Sequence, residues 1–192
     1  MNIMKSMLAL VMLCTLLFVS GCEKDNASKD GAAPASEKAA VTEKKDAEKK
    51  DSAAKAAEKI NIKVYYPDDN GMKLIAETRT IETKGDKYKA AVESLLSGAK
   101  AKGAITIIPK KAKIKSVEVK NGIATADFND DLIKNFTGGS TGEEMLVGSI
   151  VNTLTEFPEV KSVQILLNGK KVDSLGGHLD TSAPLKRMTE LL

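Results

Sequence analysis

The stretch from Glu23 to Lys59 sets the first limit on what this chain can fold into. It reads EKDNASKDGAAPASEKAAVTEKKDAEKKDSAAKAAEK, with Val41 as its one large aliphatic residue and no aromatic. A segment of that composition buries too little apolar surface to offset the entropy of ordering it, so it is expected to stay out of any core. Nine lysines face nine Asp and Glu within it, which makes it a neutral polyampholyte and not a basic tail. Its second half, rich in Ala, Glu and Lys, suits at most a helix that is polar on every face, a spacer. As a flexible coil its ends would stand roughly 30–37 Å apart, at about 5–6 Å times the square root of its length. A stalk that holds a domain off a surface and slack with no role both fit it.

What precedes the stretch suggests the surface. Met1 to Ser6 carries Lys5, the apolar run MLALVMLCTLLFVS follows, and Gly21-Cys22 ends it. A short charged region, a brief apolar run and a small-residue site describe a signal peptide, not a spanning helix. Val19-Ser20-Gly21-Cys22 resembles a bacterial lipobox, so residues 1–21 are expected to be a lipoprotein signal peptide and Cys22 the lipid attachment site. The other cysteine, Cys14, lies inside the segment to be removed, which leaves no pair for an internal disulfide. One acyl chain holds a protein to a bilayer only marginally, whereas a lipobox cysteine acquires at least two. The expected location is the extracytoplasmic side of the cell membrane, lipid-anchored, with residues 22–59 as the lipidated N-terminus and linker.

The remaining chain, Ile60 to Leu192, is long enough for one compact domain and too short for two ordinary ones. Ile60, Ile62 and Val64 alternate with polar residues, which predicts a half-buried strand. Pro67-Asp68-Asp69-Asn70-Gly71 supplies turn chemistry before a second strand over about Lys73 to Ile81, and it lacks the spacing of a calcium-binding EF-hand loop. Tyr88, Ala91, Val92, Leu95, Leu96 and Ala99 recur at helical spacing, with Asp86 to cap the start and Gly98 to suit the end. After Ile105-Thr106-Ile107-Ile108-Pro109 the pattern returns to strand. Val117 and Val119 alternate with polar neighbours, Asn121-Gly122 makes a hairpin turn, and Ala124, Ala126 and Phe128 alternate on the way back. Thr141 with Glu144 has capping-box spacing ahead of the apolar stripe Leu146, Val147, Ile150, Val151 and Leu154, and Pro158 stops that helix. Val163, Ile165 and Leu167 predict a strand, Asn168-Gly169 a tight turn, and Val172 with Leu175 the return. The order is ββαββαββ. Hairpins dominate it, so the expected class is α+β, a mostly antiparallel sheet with two helices packed on one face.

The domain carries 19 Lys and Arg against 17 Asp and Glu, and its arginines are Arg79 and Arg187. Nucleic-acid binders present a strong basic field with arginines or aromatics to read bases, so nucleic acid is excluded as a partner. Lys110, Lys111, Lys113 and Lys115 form one local cluster, read as a solvated strand edge. The sequence shows no cofactor box, no glycine-rich phosphate loop before a helix and no internal repeat.

Three runs together carry a resemblance. They are AAVESLLSGAKAKGAITIIPKKAKIKSVEVKNGIATADF, GSIVNTLTEFPEVKSVQILLNGKKV and LGGHLD, spanning nearly all of Lys87 to Asp180. They resemble the GerMN domain of bacterial sporulation and germination proteins, most specifically at Ile108-Pro109, Asn121-Gly122 before Ala124, Asn152-Thr153-Leu154 and the closing Gly-Gly-His. One copy is present here, whereas the family's germination protein carries two in tandem. The resemblance implies an extracytoplasmic, non-enzymatic domain similar in architecture to the ring-building motifs of envelope-spanning assemblies. Its implied partners are envelope proteins or further copies of itself, with peptidoglycan as the alternative.

The sole histidine, His178, sits in that closing motif with Gly176, Gly177 and Asp180. Catalysis needs a nucleophile, a base and an orienting group within hydrogen-bond reach. Ser182, His178 and Asp180 would place all three on one short irregular stretch, which positions side chains poorly. A zinc site would need more imidazole or thiolate ligands than the mature chain offers. Two glycines can take positive φ or admit a close backbone approach. The motif therefore reads as a structural turn in which His178 hydrogen-bonds locally, with contact to a partner as the other role open to it.

Overall fold

The computed structural model describes residues 58–134 and 136–192. The expected signal peptide, Cys22 and the linker up to residue 57 lie outside the described residues. β1 (Glu58–Pro67) and β2 (Leu74–Thr83) pair antiparallel as a two-stranded ribbon. β1 starts two residues before Ile60, because Glu58 and Lys59 already stand opposite Thr83 and Glu82. Within the intervening turn, Asp68 Oδ1 accepts the Met72 amide at 2.8 Å and the Lys73 amide at 3.2 Å, which is aspartate turn chemistry. α1 (Lys87–Leu96) is capped as its sequence predicts, with the Asp86 carboxylate accepting the Lys89 amide at 2.9 Å.

Ile105–Pro109 is irregular; its one strand-like contact is the Ile105 amide on the Pro67 carbonyl, at 2.8 Å. β3 (Ile114–Lys120) and β4 (Ile123–Phe128) then form the expected hairpin. Asn121 and Gly122 both have positive φ, 52° and 79°, as a two-residue turn matched to strand twist requires. A short helix that periodicity does not announce, α2 (Asp131–Lys134), precedes α3 (Gly139–Leu154). The Thr141–Glu144 capping box does not form. α3 opens earlier, with Gly138 as an N-cap that has no side chain to offer.

The arrangement is α+β, as expected, with two differences. β5 (Ser162–Leu167) runs parallel to β4, with Ile123 opposite Ser162 and Phe128 opposite Leu167. Parallel pairing needs a long crossover, and α3 supplies it. The strands also divide into two sheets, the β1–β2 ribbon and a second sheet ordered β3-β4-β5-β6, in which β6 is Lys170–Lys171 and β7 (Leu185–Lys186) joins the other end of β5. The returning strand through Val172 and Leu175 is absent, since β6 stops at Lys171.

α3 does not lie on a sheet face. Every residue from Met145 to Leu154 is buried, so the helix is the centre of the domain, packed against both sheets, α1 and the C-terminal segment. Gly148 makes the last contact possible. A Cβ there would stand 2.5 Å from Leu191 Cδ1 and 3.1 Å from Leu74 Cδ1. The four clustered lysines are exposed, at the approach to and start of edge strand β3.

Candidate functional site

Residues 172–184 lie between β6 and β7, and they contain the Gly-Gly-His motif. The conformation of Ser174 to His178 is set by one residue of α3. Glu143 is fully buried, and an ionised carboxylate in that position demands donors. It receives five from a single loop. Oε1 accepts the Ser174 hydroxyl at 2.6 Å, the Leu175 amide at 2.9 Å and the Gly176 amide at 2.8 Å. Oε2 accepts the His178 amide at 2.8 Å and faces His178 Nδ1 at 3.2 Å. With a carboxylate opposite, the tautomer that satisfies this contact carries its proton on Nδ1. Burial alone would raise the Glu143 pKa. The bonds from Ser174, Gly176 and His178 outweigh it and hold the group at about 2.

The missing last strand follows from this arrangement. The Leu175 and Gly176 amides turn toward Glu143, and β7 takes the β5 edge at Ser162 and Val163 where the returning strand would have paired. The two glycines serve different needs. Gly177 has φ +90°, where a side chain is strained. Gly176 is the point of closest approach, because a Cβ there would stand 3.0 Å from Glu143 Oε2.

Asp180 and Ser182 belong to a separate turn. Asp180 Oδ1 accepts the Ser182 amide at 2.9 Å and its hydroxyl at 2.6 Å, and these bonds lower the Asp180 pKa. The order of contacts is therefore Ser182 to Asp180 and His178 to Glu143, which is not the nucleophile–base–orienter sequence of a catalytic triad. A shallow cleft of about 410 Å³ lies on the outer side of the loop, lined by Asp173, Ser174, Gly177, His178, Leu179, Asp180 and Ser182. The His178 side chain is 48% exposed at its rim.

Two more polar residues of the α3 region hold the same C-terminal segment. Asn152, fully buried, accepts the Met188 amide at 2.8 Å and donates to the Met188 carbonyl at 3.0 Å. Glu156, just past the helix, accepts Arg187 Nη2 at 2.6 Å and the Tyr65 hydroxyl at 2.6 Å. Burial and the Glu156 bond raise the Tyr65 pKa, and the Arg187 guanidinium stacks 5.2 Å from that ring. Composition treats the arginines only as evidence against nucleic acid. Both are structural forks, since Arg79 likewise ties Glu77 to the Ser97 hydroxyl and Gly98 carbonyl at the end of α1. Glu143 escapes motif reading altogether. Its signal is phase: it lies three and four residues before Leu146 and Val147, so it shares their apolar stripe and must be paired.

The fold and the clamped loop define a class, an α+β domain in which a central helix anchors its own C-terminal segment through buried polar groups. The chain belongs to the Germane family, described as sporulation and spore germination, whose model matches residues 63–173. That match takes in the second half of β1 and all of β2 and ends three residues before Gly176, so its span is shifted from the Lys87–Asp180 resemblance. The chain is similar to the spore germination protein GerM of Bacillus subtilis (strain 168), with 34% identity over 118 residues, 56% of this chain and 31% of that protein. It thus spans about a third of that relative's length. Among solved structures it is similar to the first GerMN domain of the sporulation protein GerM from Bacillus subtilis, at TM-score 0.58 and 27% identity, over 67% of this chain and 98% of that one. The tandem GerMN domains of the same protein match at TM-score 0.52 and 28% identity, over 67% and 46% of the two chains.

Proposed function

We propose that this chain is a lipid-anchored lipoprotein on the extracytoplasmic side of the cell membrane that presents a non-catalytic Germane domain for protein–protein assembly in the envelope. Family membership supports a role in sporulation or germination. The anchor rests on Val19-Ser20-Gly21-Cys22, and residues 22–57 act as the stalk. The observation that carries the non-catalytic reading is Glu143. Five hydrogen bonds commit its carboxylate, the loop amides and the histidine to fixing a surface. Such a loop is preorganised for docking, with little ordering entropy left to lose.

Peptidoglycan binding is the second reading, favoured by the polar cleft beside His178. Crosslinking of the anchored protein in cells, read by mass spectrometry, separates the two. Discrete crosslinks to an envelope protein or to a second copy are expected. Saturable sedimentation with purified peptidoglycan, without such crosslinks, would move the assignment to the cell wall. For the anchor, Cys22→Ala is expected to abolish acyl labelling and membrane retention together, and unchanged retention would contradict it.

A further inference from the structure

The β1–β2 ribbon has two outer edges, and they are treated differently. The Tyr65 amide leaves the ribbon to donate to Thr153 Oγ1 at 3.1 Å, and the Pro67 carbonyl accepts the Ile105 amide from outside it. Odd-numbered residues of β1 therefore point their backbone groups away from β2. In the antiparallel register Tyr65 stands opposite Ala76, Lys63 opposite Thr78 and Asn61 opposite Thr80, so those β2 residues point their backbone groups away from β1. The outer edge of β1 is covered at one end by Thr153 and Ile105 and carries Lys59 and Lys63. The edge strand of the other sheet, β3, has a register shift between Ile114 and Ser116 and exposed Lys115, Glu118 and Lys120. Bulges and charges of this kind are what keep an edge from pairing.

Over Ala76, Thr78 and Thr80 the outer edge of β2 carries no bulge and no exposed charge. All three are exposed, the register runs unbroken for the whole strand, and their outward amides and carbonyls have no partner among the described residues. Beside the edge an open groove of about 340 Å³ runs between Glu82 and the Lys89–Glu93 side of α1. We propose that β2 is a self-association strand, pairing antiparallel with β2 of a second copy about a two-fold axis at Thr78. This identifies one partner for the assembly reading above and rests on it.

The occupant follows from the register. With Thr78 opposite Thr78, Ala76 meets Thr80, and both pairs are hydrogen-bonded ladder positions. On the inner face Ile75 then stands opposite Ile81 of the other copy, while Glu77 and Arg79 stay in the buried ion pair of their own copy. Threonine pairs and β-branched pairs are favourable cross-strand neighbours. Moving the axis by one residue either way sets Ile75 against Arg79 or Ile81 against Glu77, and the isoleucine pair is lost.

The test uses the full chain in detergent, over a concentration series in the analytical ultracentrifuge. A monomer–dimer equilibrium is expected for wild type. Thr78→Pro removes an outward amide that the ribbon does not use, and Thr78→Lys sets two cations on the axis; both should sediment as folded monomers. In a Cys14→Ser, Cys22→Ser background, Thr78→Cys should form a disulfide dimer on mild oxidation. Thr80→Cys alone should not, because its two copies would stand about 13 Å apart. Thr80→Cys mixed with Ala76→Cys should crosslink. Wild type that stays monomeric at every concentration, or a dimer that both Thr78→Pro and Thr78→Lys leave intact, would overturn the proposal. A monomer that still crosslinks to an envelope protein in cells overturns self-pairing alone and leaves the assembly reading standing.

Discussion

Two carboxylates near opposite ends of α3 hold the same C-terminal segment by different physics. Glu143 is fully buried and is balanced by a hydroxyl, three amides and an imidazole. Glu156 is about a quarter exposed and is balanced by a guanidinium and a phenol. A buried charge with many short-range donors dictates backbone shape, because each donor must arrive at a fixed place. A partly exposed ion pair tolerates adjustment, since water and the long arginine stem absorb small errors. The first contact therefore builds a loop, whereas the second fastens one.

The largest expected effect is at Glu143. Glu143→Ala leaves the buried Leu175 amide without an acceptor and frees the loop, so the domain should lose about 3 kcal/mol, read from denaturant or thermal unfolding. Its pH signature has a definite sign. The folded pKa of about 2 lies below the ordinary 4.5, so this stabilisation is present above pH 4.5 and is lost as pH falls through about 2. Glu143→Gln should flatten that limb of the stability profile while the limbs due to other carboxylates remain.

Next come the glycines. Gly176→Val drives a methyl-bearing carbon into the Glu143 carboxylate, and Gly177→Val forces a β-branched residue to φ +90°. Each should cost about 1–3 kcal/mol in thermal melts. If Gly176→Val melts like wild type, the close approach of Glu143 to the loop is wrong.

Arg187→Ala should cost less, about 1–2 kcal/mol, because its ion pair with Glu156 is partly solvated. A loss equal to that of Glu143→Ala would erase the contrast between the two anchors. Smallest of all is His178→Ala, at about 0.5–1 kcal/mol, since it removes one contact and leaves the His178 amide in place. An unchanged melt with loss of a crosslinked partner would make the exposed ring a docking group instead.

The two regions also differ in how far the sequence discloses them. Local chemistry is legible: Asp86 at a helix start, Asn121-Gly122 and Asn168-Gly169 at tight turns, and the apolar stripe of α3 all appear where their patterns put them. The motif Gly176-Gly177-His178 is legible as a turn, and its glycines do what glycines are needed for. Its cause is not legible, because the residue that shapes it lies more than thirty positions upstream. Periodicity marks Leu146 and Val147 as core, but the same stripe passes through Glu143, where capping-box spacing directs attention to Glu144. The parallel β4–β5 pair is hidden for a related reason. Strand alternation sets which face is buried but not which neighbour a strand takes, and the burial of α3 on all sides decides that.

The central claim is that an ionised Glu143 organises the Gly-Gly-His loop, and ¹³C NMR titration of its side-chain carboxyl tests it most directly. In the folded protein the resonance should titrate near pH 2, well apart from exposed carboxylates, with the Leu175, Gly176 and His178 amide shifts moving in step. A midpoint near the ordinary 4.5, with those amides unresponsive, would contradict the account.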